Sequence, residues 1–189
     1  MFERLGESFT GNILRELDRV IKFLDDYMRY HCRYNIIETL LKAGLKIDLI
    51  GQGCEMFAEK YPAQISVHGG KDVSDTVAIM SRAKIIINAF FPYEMGTHER
   101  IITAMLNNAA CFSPKNPYLE QEFGNKIELI DLLDLPKMTE KIHYILDNFD
   151  EYKVNVLDNN KIWALNGHTW ENRGEQIIDF YEKVICNMK

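Results

Sequence analysis

The chain has 189 residues, of which 47% are apolar, 11% aromatic and 26% charged, and its formal net charge is −6 at pH 7. This composition is typical of a folded globular domain and excludes a disordered tail or a coiled coil. The negative charge excludes a general nucleic-acid surface, because binding to a phosphate backbone requires clustered lysine and arginine side chains.

Two amphipathic helices are predicted at the start of the chain. Apolar residues recur with helical spacing over residues 13–24, and a second helix is expected over residues 36–41, with Gly44 as its C-terminal cap. The polar stretch between these helices is the only candidate domain boundary. We therefore predict an N-terminal helical extension over residues 1–30 and one α/β domain over residues 31–189.

Strands and helices alternate along the middle of the chain. Because parallel neighbours need crossover connections, this alternation predicts an α/β fold, with a Rossmann-like parallel sheet of about five strands and helices on both faces. The predicted strands are residues 46–50, 65–68, 85–89, 110–113 and 126–130, and the predicted helices between them are residues 54–61, 72–82, 97–109 and 118–123.

The last part of the sequence is predicted to be a helical tail. Apolar spacing indicates helices over residues 138–149 and 152–165. A final helix is expected after Gly167, with Thr169 as its N-cap residue.

The cysteines indicate a reducing compartment, and the hydropathy pattern indicates a protein without a membrane span. The four cysteines are far apart and lack metal-ligand spacing, which predicts free thiols rather than a disulfide framework or a zinc site. No apolar run reaches the roughly 20 residues of a membrane span, and the first residues lack the apolar core of a signal peptide. We expect a cytoplasmic protein without a transmembrane segment, although one that could lie at a membrane surface.

Two glycine turns follow the first two predicted strands, where doubly wound sheets bind ligands. Gly51 and Gly53 match the first two glycines of a dinucleotide fingerprint, but Met56 stands in place of the third, so simple turn geometry is the alternative. His68, Gly69 and Gly70 form a loop that a ligand could approach closely. This loop lacks the spacing of a Walker A motif.

The loop over residues 90–100 follows the third predicted strand and runs directly into a helix. Free N–H groups and the positive end of the helix dipole favour a phosphate there, and Arg100 adds a charge in the first turn. The alternative is a salt bridge between Arg100 and Glu94, Glu99 or another carboxylate. No Asp-x-Asp motif occurs in the chain, so no metal site is predicted.

Four segments carry a family resemblance in their order and spacing. Residues 83–88, 96–105, 111–113 and 168–173 read AKIIIN, GTHERIITAM, CFS and HTWENR. They resemble the donor-binding half of GT-B glycosyltransferases, and more narrowly the group-1-like family, over residues 45–181.

The resemblance implies a site for a nucleotide-diphosphate sugar, with the base near residues 69–73 and the diphosphate at the helix start. It implies a metal-independent reaction with retention of anomeric configuration, and no cofactor besides the donor substrate. Arg100 and Glu94 are the implied catalytic residues. The residues implied to bind the donor and its phosphates are Gly51, Gly53, His68, Gly69, Gly70, Gly96, Thr97, His98 and Thr103.

Three departures from the family pattern leave other functions open. Thr103 replaces the glutamate that binds the ribose hydroxyls in the family. The expected basic pair is not evident, and although Arg29 and Arg33 could supply charge, we expect both on a solvated helix face. The chain also has room for only one of the two domains of such an enzyme, so an acceptor domain in cis or a partner chain would be needed.

Two alternatives to an enzyme stay open, and the first of them follows from these departures. If the chain is catalytic, its acceptor is expected to be a glycan, a lipid or a protein. The first alternative is a non-catalytic module of the same fold that binds a nucleotide or phosphate. A receiver-like or flavodoxin-like domain ranks last, because Asp48 lies inside a strand rather than at its carboxyl end.

Overall fold

The computed structural model describes residues 11–89 and 95–187 of the chain. Nine α-helices and five β-strands lie within these two ranges. The helices are α1 (Gly11–Lys42), α2 (Glu55–Lys60), α3 (Val73–Met80), α4 (Glu99–Leu106), α5 (Pro117–Glu122), α6 (Leu135–Asp147), α7 (Phe149–Tyr152), α8 (Asp158–Gly167) and α9 (Trp170–Asn187). The strands are β1 (Ile47–Leu49), β2 (Ile65–Val67), β3 (Ile85–Ile87), β4 (Ala110–Pro114) and β5 (Glu128–Ile130).

Helix α1 is continuous, so the prediction of two separate helices at the start of the chain was wrong. The polar stretch between them contains neither glycine nor proline, and an ion pair between Arg29 and Asp25, four residues apart, supports the helix through it. The helix packs at its C-terminal end, where Ile36, Leu40 and Leu41 are buried. The proposed division of the chain at residue 30 stays a prediction.

All five predicted strands form, and all their pairings are parallel, which confirms the α/β class. They do not form one five-stranded sheet: β1 pairs with β2, and β3, β4 and β5 form a second sheet in that order. The exposed Asp48 and Ser66 lie at the centres of β1 and β2. These strands therefore lack the two apolar faces of a central strand in a parallel sheet.

Helices cover both faces of the three-stranded sheet, as predicted. On β4, Cys111 packs into one core cluster, whereas its neighbours Ala110 and Phe112 pack into the other, because successive side chains of a strand point to opposite faces. Helix α4 packs on the Cys111 face, and α1 and α6 pack on the Phe112 face. The packing fixes the position of the carboxyl end of β3.

The helical tail agrees with the sequence prediction apart from two details. Asn148 separates α6 from α7, and a π-helical stretch, Lys153–Leu157, joins α7 to α8. Thr169 precedes α9 and exchanges hydrogen bonds with Asn172, so it is the predicted cap. Arg173 bonds to His168, and this pair holds the start of α9.

Two helix faces in the described part of the chain remain exposed although they are apolar. One is the N-terminal part of α1, including Leu14, Leu17, Val20, Ile21 and Leu24. The other is on α9 and includes Ile177, Ile178, Phe180 and Tyr181. Exposed apolar surfaces of this extent commonly mark contacts with another protein.

Within the described residues, no helix combines the length and apolar character needed to cross a membrane.

Candidate functional site

The candidate site lies at the carboxyl end of β3, where a buried polar network holds Arg100. The Arg100 Nη1 atom donates to Asn88 Oδ1 at 2.9 Å, and Asn88 Nδ2 donates to Ser113 Oγ at 3.0 Å. Asn88 and Ser113 are only 3% and 2% exposed. Because buried polar groups must be paired, the three side chains fix one another's orientation.

Arg33 brings a second guanidinium to the same place. Although Arg33 is exposed, its Nε donates to the carbonyl oxygen of Ala89, just after β3, at 3.1 Å. The expectation that Arg33 only lies on a solvated helix face is therefore wrong, because its side chain reaches β3, whereas Arg29 is partly buried and pairs with Asp25. Helix α1 contributes this residue because its buried C-terminal end packs against β3 and β4.

The two guanidiniums are close enough to affect each other. Burial lowers the pKa of Arg100, and repulsion by Arg33 lowers that pKa further. No carboxylate within residues 11–89 and 95–187 forms a salt bridge with either side chain. Among the described residues, Arg100 therefore lacks the alternative salt bridge to Glu99, although the charge of Glu99 favours the charged form of Arg100, and neither guanidinium has a carboxylate within salt-bridge distance.

The start of α4 is capped by a side chain of the protein. His98 is the N-cap residue, and its Nδ1 accepts the backbone N–H of Arg100 at 3.2 Å. Burial, together with the charge of Arg100, lowers the pKa of His98 and so favours the neutral imidazole that this bond requires. One N–H group that was expected to face a phosphate is thus already satisfied.

The side chain of Asn116 holds the backbone at Gly96, three residues before α4. Asn116 caps α5 through its Oδ1, and its Nδ2 donates to the carbonyl oxygen of Gly96 at 3.2 Å. Asn116 is 8% exposed, so the hydrogen bond is protected from water. Thr97 lies between this anchor and His98, with its hydroxyl 3.4 Å from the carbonyl oxygen of His98.

The two glycine turns after β1 and β2 meet each other. The N–H of Gly51 donates to the carbonyl oxygen of Gly69 at 2.9 Å. Gly51, Gly53 and Gly69 have φ values of 132°, 79° and 51°, which favour glycine. A Cβ atom at any of these positions, or at Gly70, would have no neighbour within 4 Å, so open space lies above the turns.

His68 is held at the edge of the two-stranded sheet. Its Nε2 lies 2.7 Å from Asp48 Oδ1, and both side chains are partly exposed. The register of β1 and β2 places Asp48 beside Ser66, two residues before His68. Asp48 therefore orients the imidazole of His68 beside the place where the two glycine turns meet.

The charge of Arg33 acts on the first glycine turn as well as on Arg100. Burial and the neighbouring Glu55 raise the pKa of Cys54, directly after Gly53, and the nearby charge of Arg33 opposes this increase. Arg33 thus lies near the first glycine turn as well as near Ala89 and Arg100. The arrangement can attract an anion between the two loops.

The remaining predicted site residues have different outcomes. The Thr103 hydroxyl donates to the carbonyl oxygen of Glu99, one turn earlier in α4. Glu94 lies outside the described residues, so its predicted catalytic role stays a prediction. Within the described residues, no group of three or more histidine, cysteine, aspartate or glutamate side chains could hold a metal ion.

Sequence reasoning gave no role to Asn88, Ser113 or Asn116 and expected Arg33 to be solvated. Asn88 and Ser113 were visible only as the ends of two short motifs, and nothing in the sequence indicates that they bond to each other. Arg33 is separated by 56 positions from Ala89, whose carbonyl oxygen it contacts. Only the packing of α1 against the sheet brings it to the site.

The comparisons with known proteins assign the chain to a family. Residues 33–179, well over half of the chain, match the family model described as glycosyl transferase-like. The chain therefore belongs to the glycosyl transferase-like family, which confirms the resemblance identified from the sequence and supports glycosyl transfer as its general function. No curated protein matches the chain.

Proposed function

We propose that the chain is the donor-binding domain of a metal-independent GT-B glycosyltransferase. In this proposal it binds a nucleotide-diphosphate sugar, with the diphosphate between Arg33 and Arg100. The observation that carries the proposal is the convergence of these two guanidiniums at the carboxyl end of β3, in a chain of the glycosyl transferase-like family. Ligands of doubly wound sheets bind at this end of the strands.

The proposed reaction uses the two arginines to stabilise the leaving group. The bond between the anomeric carbon and the diphosphate oxygen breaks, and its electron pair stays on that oxygen. An acceptor hydroxyl forms the new bond to the anomeric carbon and passes its proton to the departing diphosphate. Guanidiniums that are fixed before the reaction lower the free energy of the developing negative charge. They carry more of this effect than the Arg100 N–H, which His98 already satisfies.

The acceptor is proposed to bind on a second domain, supplied in cis or by a partner chain. The exposed apolar faces of α1 and α9 support this, since each offers a surface for another protein. The acceptor itself is proposed to be a glycan, a lipid or a protein, and the anomeric configuration is proposed to be retained. The chain alone is then expected to bind the donor without transferring the sugar.

Thermal unfolding with UDP, GDP, ADP and dTDP tests the proposed site. We expect at least one of these nucleotides to raise the melting temperature of the wild type, since a ligand that binds only the folded state stabilises it. The increase should disappear in Arg100→Ala and persist in Arg29→Ala, a matched removal of an arginine whose guanidinium pairs with Asp25. No increase with any nucleotide at millimolar concentration would contradict the proposal.

A non-catalytic nucleotide-binding or phosphate-binding module of the same fold is the second candidate. It is favoured by Thr103, whose hydroxyl is engaged by its own helix and cannot grip two ribose hydroxyls as a carboxylate would. The resemblance implies that Thr103→Glu should restore this contact. We expect the variant to bind a nucleoside diphosphate more tightly while its affinity for inorganic pyrophosphate does not increase. Equal effects on both ligands would contradict a ribose contact at this position.

A further inference from the structure

The partner of Arg100 inside the protein is an amide rather than a carboxylate. An arginine side chain has no acceptor atom, so the side-chain oxygen of Asn88 must face it. The Asn88 Nδ2 group then faces Ser113, whose hydroxyl oxygen accepts at 3.0 Å. The backbone N–H of Asn88 also donates to the carbonyl oxygen of Phe112 at 2.7 Å. Asn88 is therefore fixed by both its backbone and its side chain.

A neutral partner has a different electrostatic consequence from an acidic one. Arginine side chains that are largely removed from water are ordinarily paired with a carboxylate. Such a pair would orient the guanidinium of Arg100 but would also cancel most of its charge. The amide of Asn88 supplies the orientation by a hydrogen bond and leaves the positive charge in place.

In the absence of a bound anion, an uncharged partner for Arg100 is electrostatically unfavourable. Arg33 lies close enough to Arg100 to repel it, and among the described residues neither side chain has a salt bridge. An aspartate in place of Asn88 would relieve that repulsion. An asparagine here leaves a positive potential that a bound anion would neutralise.

We infer that Asn88 is a positioning residue that aims the Arg100 guanidinium at the diphosphate and, by being neutral, keeps its charge available to the ligand. This inference rests on the proposed function. Ser113 assists by accepting from the Asn88 amide nitrogen, which gives the side chain a second anchor while Arg100 itself fixes the position of the amide oxygen.

Two substitutions separate orientation from charge. Asn88→Asp keeps an oxygen that can accept from Arg100 but adds a negative charge, and Asn88→Ala removes the oxygen without adding a charge. Asn155→Asp is the control, because it makes the same change of net charge at an exposed position between α7 and α8. Arg100→Ala marks the complete loss of the guanidinium.

The first measurement is calorimetric titration of each variant with inorganic pyrophosphate. We expect Asn88→Asp to keep the wild-type melting temperature or exceed it, yet to bind pyrophosphate about tenfold more weakly or worse. Asn155→Asp should bind as the wild type does. Asn88→Ala should also lose affinity, and this variant carries the test if an aspartate at the buried position prevents folding.

The second measurement needs no ligand. Nitrogen-15 NMR of the arginine side chains reports how fast the guanidinium rotates, and a purely packing role for Asn88 would not restrict that rotation. We expect slow rotation of Arg100 in the wild type and in Asn88→Asp, and faster rotation in Asn88→Ala. Equally fast rotation in the wild type and Asn88→Ala would overturn the inference.

The titrations distinguish failure of this inference from failure of the proposed function. If the wild type binds pyrophosphate, Arg100→Ala does not, and both Asn88 variants match the wild type, the inference is wrong and the proposed site stands. If the wild type binds neither pyrophosphate nor any nucleoside diphosphate, the proposed function is wrong and the role of Asn88 toward a diphosphate falls with it.

Discussion

The two sheets of this molecule differ in how well they are packed, and the candidate site residues come from the carboxyl ends of strands in both. Every residue of β4 is buried, and helices cover both faces of its sheet. In β1 and β2 no residue is fully buried, and the central residue of each strand is exposed. The three-stranded sheet holds the arginine and its polar partners, whereas the two-stranded sheet contributes glycine turns and a histidine.

Under the proposed function, this difference corresponds to a division of roles. Charge must be held in a defined direction to act on a ligand, and the well-packed sheet supplies that through Asn88 and Ser113. Close approach of a ligand requires backbone without side chains, and the glycine turns supply that with open space above them. The following predictions test the division, beginning with the largest expected effect.

The core of the three-stranded sheet should contribute far more stability than the other sheet. Ile130 in β5 is 1% exposed, and its replacement by alanine should lower the free energy of unfolding by about 2–5 kcal/mol. Ile65→Ala is the same change at a partly buried position of β2 and should cost about 1 kcal/mol. Urea unfolding measures both values, and equal losses would show that the two sheets are equally packed.

The positive φ of Gly69 should matter more than the space around it. Gly69→Ala forces an L-residue into a left-handed conformation at φ 51° and should lower the free energy of unfolding by about 1–2 kcal/mol. Gly70→Ala is the adjacent control, because Gly70 is not among the glycines with positive φ and a Cβ there also meets open space. If both variants unfold at the same urea concentration, backbone strain at Gly69 is not the cause.

Arg33 should contribute to anion binding although it is exposed. Arg33→Ala should weaken pyrophosphate binding about fivefold, equivalent to about 1 kcal/mol, because water screens an exposed charge. Arg29→Ala removes an arginine one turn earlier, whose guanidinium pairs with Asp25, and should leave the affinity unchanged. Equal affinities of the two variants would remove Arg33 from the site.

The His98 cap should make the stability depend on pH in one direction. Burial lowers the pKa of His98 in the folded state, so the unfolded chain binds a proton there more readily. This contribution to stability is present above about pH 6.5 and decreases as the pH falls below that value. His98→Asn keeps a side chain that can cap the helix but does not titrate.

When the pH is lowered from 7.5 to 5.5, the melting temperature of the wild type should therefore fall by more than that of His98→Asn. His168, whose pKa is lowered by its own burial and by Arg173, titrates in the same direction in both proteins and cancels in this comparison. A difference that is constant with pH would show that the imidazole has no titrating role in the cap.

Much of the fold could be predicted from the sequence because its signals are local. Alternating apolar runs gave all five strands, and Thr169 gave the start of α9. The split into two sheets could not be predicted, since strand pairing depends on contacts between distant residues. The continuity of α1 was missed because its polar stretch was interpreted as a break, although no residue in it disfavours a helix.

The candidate site was predictable only where its residues lie in one segment. Gly96, Thr97, His98 and Arg100 are consecutive or nearly so, and the structure keeps them together. The contribution of Arg33 depends on a helix packing against a strand 56 residues later, which leaves no pattern in the sequence. The His98 cap was also not predicted, because an imidazole is an unusual N-cap side chain.

The central claim is that Arg33 and Arg100 together form a diphosphate site. Calorimetric titration of the wild type and of the double variant Arg33→Ala, Arg100→Ala with inorganic pyrophosphate tests it without any assumption about base or sugar. The account predicts saturable binding of one pyrophosphate per chain in the wild type and none in the double variant at the same concentrations. Equal binding by the two proteins, or no binding by the wild type, would contradict it.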